Sequence, residues 1–252
     1  MGKWLASLGL YSLLCAFAVQ PHAGVAGQPE PGAAYREALM DMLAAIREST
    51  ADTFEYTGRR RLHERVLNAM AEVPRQEFVL EDMRSRAYLN TALPISHGQT
   101  ISQPFIVALM TDFLDPEPHH RVLEVGTGSG YQAAVLSGLV SHIYSIEIIP
   151  GLTESARQVL GRLGYENITL RTGDGYAGWP EEAPFDGVIV TAAADHIPPP
   201  LVEQLKPGGR MIIPVESRGG FQELILVTKD ENGNTQQRSV LPVRFVPLTG
   251  ER

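Results

Sequence analysis

Three carboxylates in this 252-residue chain stand where a parallel sheet would gather them. Glu124 opens the run Glu124-Val125-Gly126-Thr127-Gly128-Ser129-Gly130, Glu147 closes the next apolar run, and Asp174 lies between Gly173 and Gly175. Glycines let the backbone turn tightly and approach a ligand without a Cβ clash. A helix that starts there leaves unpaired N–H groups beside that ligand. The spacing is G-x-G-x-G, not the G-x-G-x-x-G of dinucleotide sites, where the helix start takes a pyrophosphate. A carboxylate at Glu124 would repel a pyrophosphate but can pair with an ammonium group. Glu147 can accept from both hydroxyls of a ribose, and Asp174 from an adenine amino group. The plainer alternatives are a structural turn for the glycines and a solvated loop acid for Glu147.

A nucleoside carrying an amino acid head and no phosphate satisfies all three acids, and S-adenosylmethionine is such a molecule. Other chemistries find less support. His97, His119, His120, His142 and His196 are scattered, without metal-ligand spacing on a plausible element, so no metal is expected. Ser129 stands one residue too close to its flanking glycine for a G-x-S-x-G nucleophile elbow. The single cysteine, Cys15, falls in the leader-like start of the chain. A net charge of -8 opposes broad nucleic-acid binding, which needs clustered Lys and Arg.

The elements that must hold these residues follow from periodicity. From residue 121 onward, apolar strands (RVLEVG, HIYSIEII, NITLRTGD, FDGVIVTAA, GRMIIPV) alternate with helical stretches. That pattern predicts a mostly parallel twisted sheet with helices on both faces. Its carboxyl edge, where ligands bind in open α/β sheets, collects the three acids. FQELILVTK and QQRSVLPVRFVPL flank DENGN and predict a C-terminal antiparallel hairpin. Residues 35–83 read as an N-terminal helical region: Ala38, Leu39, Met42, Leu43 and Ile46, then Val66, Leu67, Met70 and Val73, keep helical spacing up to Pro74. Residues 84–105 are long, polar and aperiodic, which marks a functional loop. Residues 1–26 have the layout of a secretory signal peptide, one positive charge before a short apolar run and then small residues. The Gly- and Pro-rich residues 27–34 read as a linker.

These residues resemble the protein-L-isoaspartate O-methyltransferase family from about Arg65 to Thr249. The glycine run and Gly173-Asp174-Gly175 are common to many methyltransferases. More specific are ALPISHGQTISQPFIVALMTDFL, APFDGVIVTAA, LKPGGRMIIPV and RFVPLTG, with TISQP and VPLT together the strongest signature. The resemblance implies a Rossmann-like S-adenosylmethionine-dependent methyltransferase fold over residues 84–252. It implies transfer of a methyl group to the free carboxylate of L-isoaspartyl residues in damaged proteins. The ester then closes to a succinimide, whose hydrolysis partly restores aspartate. Ser102 is similar to the family's active-site serine, although before Pro104 it also reads as a helix N-cap. Gln99, Thr100 and Ile101 would line the substrate site, and Val246, Pro247, Leu248 and Thr249 would pair with the substrate backbone, where the plainer alternative is an edge strand. Glu124, Gly126, Thr127, Gly128, Gly130, Glu147, Asp174 and Gly175 form the implied cofactor set.

Beside a binding module that has lost catalysis, which the intact acids and Ser102 oppose, two rival readings remain. One is a methyltransferase with another acceptor, such as RNA or a small molecule, which TISQP and VPLT oppose. The other is a nicotinamide oxidoreductase, which Glu124 and the glycine spacing oppose. The expected partners are isoaspartyl peptides and proteins, not nucleic acid. No stable membrane association is expected once the leader is removed, and the oligomeric state is not specified. The leader implies a periplasmic or secreted protein, whereas the resemblance implies the cytoplasm, where the cofactor is made.

Overall fold

The computed structural model describes residues 33–217 and 219–250; the leader of residues 1–26, Cys15 and residues 27–32 of the expected linker lie outside the described residues. The first helix, α1 (Ala33–Asp52), begins within the last two residues of that linker. It is followed by one turn, α2 (Phe54–Thr57), and by α3 (Glu64–Glu72). The expected helical region is thus broken. Gly58, at φ 67°, ends α2 in a left-handed conformation that glycine adopts without steric cost. Periodicity did find the buried stripes, since Met42, Leu43, Ile46, Val66, Leu67 and Met70 are all in the core. Two 3-10 turns, Arg75–Phe78 and Glu81–Arg86, complete the region after Pro74.

The polar stretch 84–105 is partly ordered as a ribbon. β1 (Leu93–Pro94) and β2 (Thr100–Ile101) pair antiparallel, Leu93 with Ile101 and Pro94 with Thr100. Between them lies a 3-10 turn, Ser96–Gly98, with His97 at φ 58°. The chain then enters α4 (Pro104–Leu114), most of whose side chains are buried. Asp112 on α4 is fully buried and is gripped by Arg59 at 3.2 Å and by the His63 amide at 2.8 Å. A buried carboxylate needs such partners. Here they pin the 58–63 link to the central helix.

The rest alternates as expected: β3 (Arg121–Val125), α5 (Tyr131–Ser137), β4 (His142–Glu147), α6 (Pro150–Arg162), β5 (Ile168–Thr172), β6 (Phe185–Val190), α7 (Pro199–Glu203) and β7 (Leu205–Glu216). β8 (Gln222–Lys229) and β9 (Thr235–Val243) form the hairpin. The seven strands lie in the order β5-β4-β3-β6-β7-β8-β9, with β3 to β7 parallel and β8 and β9 antiparallel. The hairpin turn is closed by Asp230, whose carboxylate accepts from the amides of Asn232 and Asn234. β9 ends at Val243, so Val246 to Thr249 do not continue the hairpin as expected. They turn back over the sheet, and Pro247 forms a parallel bridge with Ala193.

One face of the sheet packs against α1 and α3 to α6 through a large apolar cluster. Among the described residues, the other carries only the short α7, the 3-10 turns after β5 and the returning Val246 and Leu248. Strand order reverses between β3 and β6, so their carboxyl ends splay apart at a topological switch point.

Candidate active site

A cleft of about 570 Å³, including its open mouth, lies over that switch point. Its floor is built by the ends of β3, β4 and β6: Val125, Gly126 and Gly128, Ile146 to Ile149, and Thr191 with Ala192. Gly126 stands at φ 97°, and a Cβ there would lie 2.5 Å from Thr191 Oγ1. Thr191 in turn donates to the carbonyls of Gly126 and Val125, at 2.5 and 3.1 Å. The turn is therefore held close against β6, which is what a side chain on Gly126 would prevent.

Glu147 reaches the cleft as expected. Its carboxylate accepts from the amides of Gly128 at 2.9 Å and Ile149 at 3.0 Å. A carboxylate offers about four acceptor sites, so capacity remains for two hydroxyls. Ile148, 37 % exposed, and Ile149 supply an apolar wall beside it. Sequence reading passed over this pair, as it did Thr191 and Ala192. The rule that ligands sit just past strand ends is the signal that reaches them.

Glu124 is a correction. Its side chain is fully buried and lies beneath the turn, not on the cleft wall. Ser145 Oγ donates to its Oε2, and Thr127 Oγ1 lies 2.6 Å from the same serine. Burial pushes its pKa up to about 8, against the hydrogen bond from Ser145; the nearby Glu147 charge adds to the rise. A neutral, enclosed carboxyl cannot serve as the counter-ion of an ammonium group. Its role is to brace Thr127 through Ser145.

Gly130 is a further correction, and Asp174 stands half-buried beside the cleft wall. Asp174 caps the 3-10 turn Gly175–Ala177, accepting from the Tyr176 amide at 2.9 Å, and a Cβ on Gly250 would collide with its carboxylate. Gly175, not Asp174, borders the cleft. Gly130, at φ 88°, borders neither recess. A Cβ there would press within 3.2 Å of Leu160, so its smallness serves the packing of α5 on α6.

The ribbon 93–101 roofs the cleft. Ile95 Cδ1 would lie 3.7 Å from a Cβ on Gly128, and the His97 ring would lie 2.7 Å from one on Gly151, in the first turn of α6. Gln99 and Thr100 line the cleft from this side. Behind the glycine turn a smaller recess is lined by Thr100, Ile101, Ser102, Thr127, Tyr131 and Gln132 among others. Thr100, Gly126, Gly128 and Thr191 border both spaces. Ser102 is not a helix N-cap: that position belongs to Gln103, whose own side chain makes no capping bond, and the Asn90 side-chain oxygen instead accepts from the first-turn amide of Phe105 at 3.0 Å. Val246, Pro247, Leu248 and Thr249 form the opposite rim. Ala193 donates to the Val246 carbonyl at 2.8 Å and accepts from the Leu248 amide at 2.7 Å.

The family model for protein-L-isoaspartate(D-aspartate) O-methyltransferase matches residues 50–252. The chain belongs to this family. A protein-L-isoaspartate O-methyltransferase 2 of Syntrophobacter fumaroxidans is 55 % identical over 241 residues, covering 96 % of each chain. Another of that name, from a Polaromonas species, is 57 % identical over 214 residues, 85 % of this chain and all of its own. A solved protein-L-isoaspartate O-methyltransferase superposes with a TM-score of 0.71 at 29 % identity, over 84 % of this chain and 66 % of that one, slightly under two thirds of its length. A Plasmodium falciparum chain described as a protein-L-isoaspartate O-methyltransferase, in complex with S-adenosyl-L-homocysteine, gives 0.68 at 25 % identity, over 85 % of this chain and 97 % of its own. Family membership accounts for the co-occurrence of TISQP and VPLT on the two rims of one cleft.

Proposed function

We propose that this methyltransferase esterifies the free carboxylate of L-isoaspartyl residues at the junction of the two recesses, with S-adenosylmethionine held in the larger one. The residues present fit that cofactor. Glu147 offers free acceptor sites beside an apolar wall, and Gly126 lets the turn approach without a side chain in the way. When bound, S-adenosylmethionine supplies a sulfonium-activated methyl group. The cofactor set we assign is Gly126, Gly128, Glu147 and Gly175 with Ile148 and Ile149. Glu124 and Thr127 act beneath the turn.

The observation that carries the reading is the shared border of Thr100, Gly126, Gly128 and Thr191, which sets the Ser102 recess directly against the cofactor cleft. An isoaspartyl carboxylate is already ionised at neutral pH, so no general base is required. Ser102 orients the acceptor by donating one hydrogen bond from Oγ. Thr100 and Ile101 exclude water from the junction, and placement of this kind lowers a barrier by about 7–11 kcal/mol at best. On the far rim, Ala193 occupies the edge of the 246–249 segment that carries the Val246 carbonyl and Leu248 amide. In an extended segment the groups of alternate residues face opposite ways. The Pro247 carbonyl and Thr249 amide thus remain to pair with a substrate backbone. The test is labelled methyl transfer from S-adenosylmethionine to an isoaspartyl peptide and its aspartyl twin. Base-labile label is expected on the first alone; equal labelling of both, or of neither, refutes the assignment.

A further inference from the structure

Arg75 is fully buried, begins the 3-10 turn after Pro74, and has no carboxylate among its hydrogen-bond partners. Its Nε donates to the Ala87 carbonyl at 2.7 Å, and its Nη2 donates to the Ser102 carbonyl at 2.7 Å. The guanidinium carbon lies 4.5 Å from the centre of the Tyr131 ring, the first residue of α5 after the glycine turn. Nη1 is buried without a hydrogen-bond partner. Burying an arginine in this way is costly, and a neutral side chain of similar size would fill the same space without that cost. What a neutral side chain cannot do is hold two carbonyls in fixed directions while stacking on a ring, which the rigid planar fork of arginine can.

The three partners belong to three parts of the site. Ala87 lies at the start of the substrate loop, Ser102 at its end, and Tyr131 on the helix that follows the cofactor turn. Tyr131 also lines the recess that holds Ser102. We propose that Arg75 is a positioning residue for methyl transfer: it sets the direction of the Ser102 hydroxyl by fixing that residue's main chain against the helix of the glycine turn. The proposal rests on the assignment of Ser102 to the acceptor. It predicts that Arg75 matters for turnover, through Ser102, and little for cofactor affinity.

The experiment is a double-mutant cycle with Arg75→Lys and Ser102→Ala in the full chain. It reads kcat and KM for an isoaspartyl peptide, the Kd for S-adenosylmethionine, and Tm. Lysine keeps the charge but not the fork. Arg75→Lys should lower kcat about ten- to a hundredfold, the loss expected for a hydrogen bond from a charged donor. Cofactor Kd should stay within about twofold, and with Ser102→Ala already present the same change should cost less than about twofold. An equal loss in both backgrounds, or unchanged kcat in Arg75→Lys, overturns the role of Arg75 and leaves that of Ser102 standing. Unchanged kcat in Ser102→Ala alone overturns the assignment of Ser102 and this proposal with it. Should Arg75→Lys fail to fold, Tyr131→Leu, which removes the ring beneath the guanidinium together with its hydroxyl and its edge contact with Phe78, takes its place in the cycle with the same expected pattern.

Discussion

Glu124 shows how one residue type in a known pattern can serve a different purpose from the one its chemistry first suggests. An acid ahead of G-x-G-x-G reads as a counter-ion, because sequence shows the charge but not the burial. The strand places Glu124 on the enclosed side of β3, where Ser145 and Thr127 complete a buried chain. With a folded pKa near 8 against an ordinary value of 4.5, the native state holds a proton between those values that the unfolded state has lost. Stability from this group is therefore fully present below about pH 4.5 and is lost as pH rises through about 8, with a slope of at most about 1.4 kcal/mol per pH unit. Glu124→Gln removes the titration while keeping an acceptor for Ser145. Urea denaturation should show the variant gaining on the parent protein from about pH 5 to about pH 8. Parallel pH profiles would mean that Glu124 is not the titrating group.

At the scale of elements, the alternation of strands and helices from residue 121 was plain in the sequence, because buried parallel strands read as continuous apolar runs. The hairpin turn was plain as well, through Asp230 and the Asn-Gly pair. Two features were not. The break at Gly58 lay inside a stretch whose periodicity resumed on either side. The return of Val246 to Thr249 across Ala193 depends on tertiary pairing that an apolar run cannot reveal. The polar loop stood out in the sequence by its lack of periodicity, but not that its ribbon roofs the cleft with His97 seated on Gly151. Gly151 lies in the first turn of α6, and alanine is favoured over glycine within a helix by about 1 kcal/mol. Gly151→Ala should nevertheless weaken cofactor binding several-fold, roughly 1 kcal/mol, because its Cβ displaces the His97 ring. Calorimetry and Tm together check this: a more stable variant with unchanged affinity would show that the roof does not depend on this contact.

Over the whole molecule, the uneven dressing of the sheet explains where function sits. One face is sealed by α1 and α3 to α6, while the carboxyl edge at the β3–β6 switch is left open for a ligand. The N-terminal helical layer extends this seal, and through Arg75 it reaches both ends of the polar loop 84–105, a link that no sequence motif marked. TISQP and VPLT, some 140 residues apart in the chain, meet across one cleft only because the C-terminal segment folds back over β6. All of this depends on one molecule entering that cleft. The direct measurement is a calorimetric titration of S-adenosylmethionine into the full chain and into its Glu147→Ala variant. One site per chain, weakened about tenfold or more by the variant through lost ribose hydrogen bonds, is the expected result. No saturable heat, or equal affinity in both proteins, would contradict the placement of the cofactor at the carboxyl edge of the sheet.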